Sequence, residues 1–96
     1  MSKPLRVSGV RFIAASGEEI TRGLLGYITC VLEDAVRIDG LTLHRTGDGR
    51  LVLSFPARRD AAGRKHFLIR PLTDATRRDL ERQVFRELEL DEGAAR

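Results

Sequence analysis

The sequence predicts an α+β fold, an antiparallel sheet of about five strands with one C-terminal helix packed on it. Two observations carry this. Up to Leu72 the apolar residues come in short runs rich in β-branched and aromatic side chains, broken by Gly, Pro and Asp, which is the pattern of strands and turns. After Leu72 the pattern changes: Leu80, Val84 and Leu88 recur every four residues with Phe85 beside them, an amphipathic stripe at helical period. Strands followed by a helix, with no internal repeat or dividing linker, fit one α+β domain spanning residues 1–96.

The first strand is expected over Leu5–Ala14, where Val10 and Phe12 share one parity, Val7 and Ile13 the other, and Gly9 marks a bend or a close backbone approach. Ser16–Gly23 is polar with two glycines and reads as a loop or an open hairpin turn. Leu24–Leu32 reads as a strand, with Leu24, Ile28, Cys30 and Leu32 on one face and Leu25, Tyr27, Thr29 and Val31 on the other. After the polar break at Glu33-Asp34, Val36, Ile38, Leu41 and Leu43 give a third strand. Asp39-Gly40 inside it signals a turn or a bulge, and a bulge keeps the apolar residues on one face. Thr46–Gly49 is a turn into the strand Leu51–Phe55, so the third and fourth strands should form a hairpin.

The fourth strand stops at Pro56 and a fifth is expected over His66–Leu72, closed by Pro71, because proline cannot donate to a ladder. These two strands would form a second hairpin around an Asp60–Gly63 turn. The helix is expected over residues 73–90, N-capped by Thr73 or Asp74, with Thr76 and Asp79 as another capping arrangement. The tail, residues 91–96, is small and polar and should fray.

Ninety-six residues bury only a modest core, which oligomerisation would supplement. No apolar run approaches the ~20 residues that span a bilayer. The start, Met1-Ser2-Lys3-Pro4, lacks the apolar centre of a signal peptide. A cytoplasmic location, with no membrane partner, is the resulting expectation. The single Cys30 excludes an internal disulfide and a cysteine-based zinc site, and reads as a small buried hydrophobe.

With 17 basic and 14 acidic residues the net charge is +3, which permits anionic partners without demanding them. The distribution says more. Arg58, Arg59, Arg64, Lys65 and Arg70 gather on the expected second hairpin, and Arg77 follows early in the helix. Guanidinium groups bind two phosphate oxygens or two base acceptors at once, and a two-stranded ribbon fits a major groove. The alternative is a solvated loop whose charges serve solubility. Arg78, Arg82 and Arg86 lie on the other side of the helix with Asp79, Glu81 and Glu89 within a turn, and read as a salt-bridged solvent face.

Phe55-Pro56-Ala57-Arg58-Arg59, Gly63, Pro71-Leu72 and Thr73–Arg77, in this order and spacing, resemble the SpoVG family of bacterial septation and sporulation proteins. Val7–Phe12 and Gly23–Leu32 are similar to that family's first two strands, so the resemblance covers roughly residues 7–90. It implies a small α+β domain that dimerises through its sheet and binds DNA and RNA, tied to gene regulation and to control of septum formation. By the same resemblance Arg58 and Arg59 match the family's paired basic residues, and Arg77 its basic residue early in the helix.

Other chemistry is poorly supplied. His44 and His66 are not at metal-ligand spacing and are placed at strand ends. Ser54 lacks a nucleophile elbow, Asp48-Gly49 lacks the rest of a calcium loop, and Gly23–Gly26 is not a phosphate loop. No enzyme activity, cofactor, metal or small-molecule substrate is expected. Of the aromatics Phe12, Tyr27, Phe55, Phe67 and Phe85, most fall in core patterns, leaving Tyr27 as the candidate for stacking against its simpler reading as a core or interface residue. One helix covers one face of the sheet and both parities of Leu24–Leu32 are apolar, so the remaining face or an edge is expected to be buried by a second copy. The primary expectation is therefore a dimeric nucleic-acid-binding regulator. The alternative is a protein-interaction module that docks an acidic partner of the division machinery through its sheet edge or Arg-rich loop.

Overall fold

The computed structural model describes residues 4–89. It is α+β, as expected: β1 (Val7–Ala14), α1 (Gly17–Thr21), β2 (Leu24–Leu32), β3 (Val36–Arg45), β4 (Leu51–Ser54), β5 (Ala57–Arg59), β6 (Lys65–Phe67) and α2 (Asp74–Glu87). The strands form two sheets, one of four strands in the order β1-β2-β3-β4 and one of two, β5-β6. All pairings are antiparallel. Among the described residues no helix is long and apolar enough to cross a membrane.

The bulge expected at Asp39-Gly40 is present. Ile28 faces Leu41 and Cys30 faces Ile38, so Thr29 alone stands opposite two residues of β3. Gly40 takes φ +86°, a left-handed conformation that costs glycine little. A second register shift falls between Ser8 and Arg11, at Gly9 with φ +56°. It lets Val7 and Val10 both reach the core although their spacing is odd. A third, between Leu24 and Gly26, seats Leu25 rather than the expected Leu24 against the core.

The core lies between the four-stranded sheet and α2. Ile28, Cys30, Ile38, Leu41, Leu43, Leu51 and Leu53 from the sheet meet Leu80, Val84 and Phe85 from the helix. Cys30 is buried, and burial pushes its thiol above the ordinary range. Thr73 N-caps α2, its hydroxyl accepting from the Thr76 N–H at 3.1 Å. The helix ends at Glu87 instead of reaching residue 90, with Leu88 at the cap and Glu89 at φ +58°. The tail expected to fray lies outside the described residues.

Two further expectations are corrected. Ser16–Gly23 contains a short helix, because Ser16 and Glu19 form a capping box in which the Glu19 carboxylate accepts from the Ser16 N–H at 2.9 Å. Leu51–Phe55 does not pair with His66–Leu72, although β4 forms the expected hairpin with β3, with Leu43 facing Leu53. The second hairpin is instead the short ribbon β5-β6, running from Ala57↔Phe67 to Arg59↔Lys65. Pro56, lacking an N–H, stands where the chain leaves the large sheet, and its carbonyl accepts from Leu68 at 2.9 Å.

The helix also seals the sheet's edges. Leu53 N–H, on edge strand β4, donates to the Glu81 carboxylate at 2.9 Å, although Glu81 is only 6% exposed. Gln83 reaches the opposite edge, accepting from Val7 N–H at 2.9 Å and donating to Leu5 O at 2.5 Å. Positions 81 and 83 point about 200° apart around a helix, so α2 lies between the two edge strands and ties both. Replacing Glu81 with Ala should cost about 2–3 kcal/mol, because it strands a buried N–H and removes the partner of Arg77. Glu81→Gln, which keeps an acceptor, should cost less than half of that. Urea unfolding of both variants checks the ordering.

A candidate nucleic-acid interface

The six basic residues singled out in the sequence divide into groups with different surroundings. The tip of the ribbon is organised by Asp60. Its carboxylate accepts from the N–H groups of Ala62 and Arg64, both at 2.9 Å, while Gly63 N–H closes the turn onto Asp60 O at 2.9 Å. Gly63 takes φ +83° there. The same carboxylate receives Arg64 Nε at 3.1 Å and His66 Nε2 at 2.8 Å. Arg64 is therefore neutralised within its own turn. His66 sits inside β6, not at a strand end as expected. Arg59 donates through Nη1 to Gly63 O at 2.8 Å, which holds it along the turn without cancelling its charge.

Arg58, Lys65 and Arg70 have no carboxylate partner among the described residues. Arg58 faces His66 across the ribbon. Arg70 is not on the hairpin, where the sequence reading placed it; it lies beyond β6, in the segment between β6 and α2. There it meets Lys65 across the ring of Phe67: Lys65 Nζ is 4.8 Å and Arg70 Cζ 5.3 Å from the ring centroid. Arg77 approaches from the first turns of α2. Its Nη2 lies 3.4 Å from Leu53 O and 3.7 Å from the Glu81 carboxylate.

Lys65, Arg70 and Arg77 thus border one cleft of about 270 Å³, lined also by Leu53, Ser54, Phe55, Phe67 and Pro71. Three cations and two aromatic rings converge there, from β4, β6, the following segment and α2. Phe67 is 42% exposed, so it is not the core residue its apolar run suggested. The available signal was its position between Lys65 and Arg70, since aromatics interleaved with basic residues mark nucleic-acid surfaces. Tyr27, the stacking candidate from sequence, is exposed on the sheet, and its hydroxyl donates to Glu19 of α1 at 2.5 Å. That bond is the main cause holding the Glu19 carboxyl below its usual range and the Tyr27 phenol above its own.

The solvent face of α2 carries the salt bridges expected of it, Asp79 among the expected partners and Asp74 an additional one. Arg78 pairs with Asp74 at 2.9 Å and Arg82 with Asp79 at 3.2 Å, while Glu81 points into the core. His44 is half-buried, its Nε2 2.8 Å from the Thr42 hydroxyl. Among the described residues no group of His, Cys, Asp or Glu is placed to hold a metal ion.

No protein-family model matches the chain, and no curated protein matches it in sequence.

The Asp60 carboxyl is held below its ordinary value, first by the His66 side chain and then by the Arg64 N–H. A depressed folded value means that the tip's contribution to stability is present above the unfolded value of 3.8 and is lost as the pH falls through the folded one. On acid titration followed by NMR, the Ala62 and Arg64 amides should keep their ordered shifts down to pH 3.8 and lose them only below it, while core amides such as Ile28 and Leu43 stay in place.

Proposed function

We propose that this protein is a nucleic-acid-binding regulator of the SpoVG type, acting on DNA or RNA and linked to gene regulation and division septum formation. The observation that carries the binding reading is the set Arg58, Lys65 and Arg70, exposed on one ribbon and its continuation without carboxylate partners among the described residues. Arg59 and Arg77, bonded to carbonyl oxygens, still present N–H groups and charge. Phosphates are the anions that such a spread of separate cations suits, because each contact is made independently and releases counterions. The resemblance in Phe55–Arg59 and Pro71–Arg77 supplies the regulatory and septation context. The reading involves no catalysis and no cofactor.

A homodimer is part of the proposal. The side of the four-stranded sheet away from α2 exposes Ile13 and Tyr27, and Val31 and Val52 are half-buried beside them. The edge at Leu53 is capped by Glu81 and that at Val7 by Gln83. These caps favour joining two copies through the face over joining them edge to edge.

A second reading rests on Leu68 and Leu72, 63% and 96% exposed in the segment after β6. Exposed apolar side chains beside a basic ribbon suit a docking protein partner. One titration separates the readings. Fluorescence anisotropy with a labelled oligonucleotide at several salt concentrations should show binding whose log–log salt slope flattens by about 1.5 in an Arg58→Ala/Arg59→Ala double variant, from two lost contacts at ~0.7–0.9 each. Asp60→Asn keeps an acceptor for the turn but frees Arg64, and should tighten binding a few-fold. Absence of binding at low salt would leave the protein-docking reading.

A further inference from the structure

The cleft bordered by Lys65, Arg70 and Arg77 differs from the rest of the basic surface in having apolar walls. Its lining combines three cations with Phe55, Phe67 and Pro71, and contains no carboxylate-bearing residue. A bare phosphate would use the cations and leave the walls wet. A duplex would present phosphates but keep its base faces stacked inside. The ligand that uses both halves is a flat apolar group covalently joined to an anion. At about 270 Å³ the cleft lies slightly under the ~300 Å³ at which small-molecule sites begin, which suits one nucleotide and not two.

We infer that this cleft takes a single unpaired nucleotide, its base against Phe67 and its phosphate between Lys65, Arg70 and Arg77. In the unliganded protein Lys65 and Arg70 lie over the Phe67 ring at 4.8 and 5.3 Å. Both belong to exposed side chains and can trade the ring's weak quadrupole for a full negative charge as a phosphate enters, which clears the ring for the base. Arg77 is held from behind by Glu81 and Leu53 O, so it stays in place through that exchange. The inference rests on the nucleic-acid reading above and adds to it a preference for single strands. The tip residues Arg58 and Arg59 contact phosphates in either form, whereas only an unstacked base can reach Phe67.

The test uses Phe67 variants. Phe67→Leu keeps an apolar side chain on the ribbon but has no ring, and Phe67→Tyr keeps the ring; backbone NMR spectra establish that both are folded. Anisotropy titrations compare a labelled single-stranded ten-nucleotide oligomer with its duplex. The expected result is that Phe67→Leu weakens single-strand binding at least about fivefold, leaves duplex binding within about twofold, and that Phe67→Tyr restores the loss. In the native protein, millimolar uridine monophosphate should shift the Phe67 ring and the Arg70 and Arg77 amide signals, and inorganic phosphate should leave the ring signals unmoved. Equal effects of Phe67→Leu on both forms, no effect on either, or ring shifts reproduced by inorganic phosphate would each overturn the nucleotide site while the nucleic-acid reading stands. Failure of both oligomers to bind the native protein would overturn both.

Discussion

Glu81 places a carboxylate inside the interface between α2 and the sheet, 6% exposed, against the main-chain N–H of an edge strand. Desolvating a carboxylate costs several kcal/mol, and that cost is offset here in two ways. The first is the Leu53 N–H, which has no ladder partner because, among the described residues, nothing pairs beyond β4. The second is Arg77, whose guanidinium stands 3.7 Å away and also reaches Leu53 O. One helical turn, positions 77 and 81, thereby satisfies both outward groups of Leu53. The edge is capped at Leu53, α2 is tied to β4 there, and a half-exposed arginine is left facing outward beside the ribbon. The position of the candidate site follows from this contact, since Arg77 is both its rear wall and the counter-ion of the buried acid.

The ribbon depends on a different constraint. Two-stranded ribbons are marginal alone, and among the described residues β5-β6 has no third strand beside it. It is held at its tip by the Asp60 turn and at its base by the Leu68 N–H on Pro56 O. Pro56 itself is close to Gly40, where an added Cβ would come within 3.3 Å of the proline ring. The bulge of β3 thus makes room for the point at which the chain leaves the sheet. With its partners limited in this way, the ribbon cannot bury the aromatic at its end, and Phe67 remains half in solvent with cations around it.

Most of the large sheet was legible because the signals were local. Alternation in Val36–Leu43 and Leu51–Leu53, the glycine at the Gly40 bulge, the Thr73 cap and the four-residue repeat of Leu80, Val84 and Leu88 each report on their own neighbours. Pairing is not local. Leu51–Phe55 and Phe67–Ile69 are alike in composition and separated by an evident turn, so they read as partners. The structure keeps the expected hairpin of Leu51–Ser54 with β3, but the chain leaves the large sheet at Pro56, so the partner of Lys65–Phe67 is Ala57–Arg59 and not β4. Glu81 was hidden for the opposite reason. Its charge removed it from the apolar stripe although it neighbours Leu80 and lies three residues before Val84, and its spacing of four from Arg77 was the remaining clue. Phe67 was hidden by its apolar company, Leu68 and Ile69, which the structure leaves exposed as well.

The division of the cations bears on how a net charge of +3 could serve an anionic polymer. Three ion pairs are formed close by in sequence: Arg64 with Asp60, Arg78 with Asp74, Arg82 with Asp79. These are exposed pairs at helical or turn spacing, each contributing little to stability and cancelling most of its own field. Among the cations outside these pairs, Arg58, Lys65 and Arg70 lie together on the ribbon and its continuation. Arg59 beside them and Arg77 at the rear of the cleft add positive charge to the same side of the ribbon, although the whole chain is nearly balanced. A weakly basic protein can in this way hold a localised anion-attracting surface. Its reach is limited by the Debye length, about 8 Å at physiological salt, so the partner must come close enough to touch the ribbon, and the ring at its base is then within contact distance.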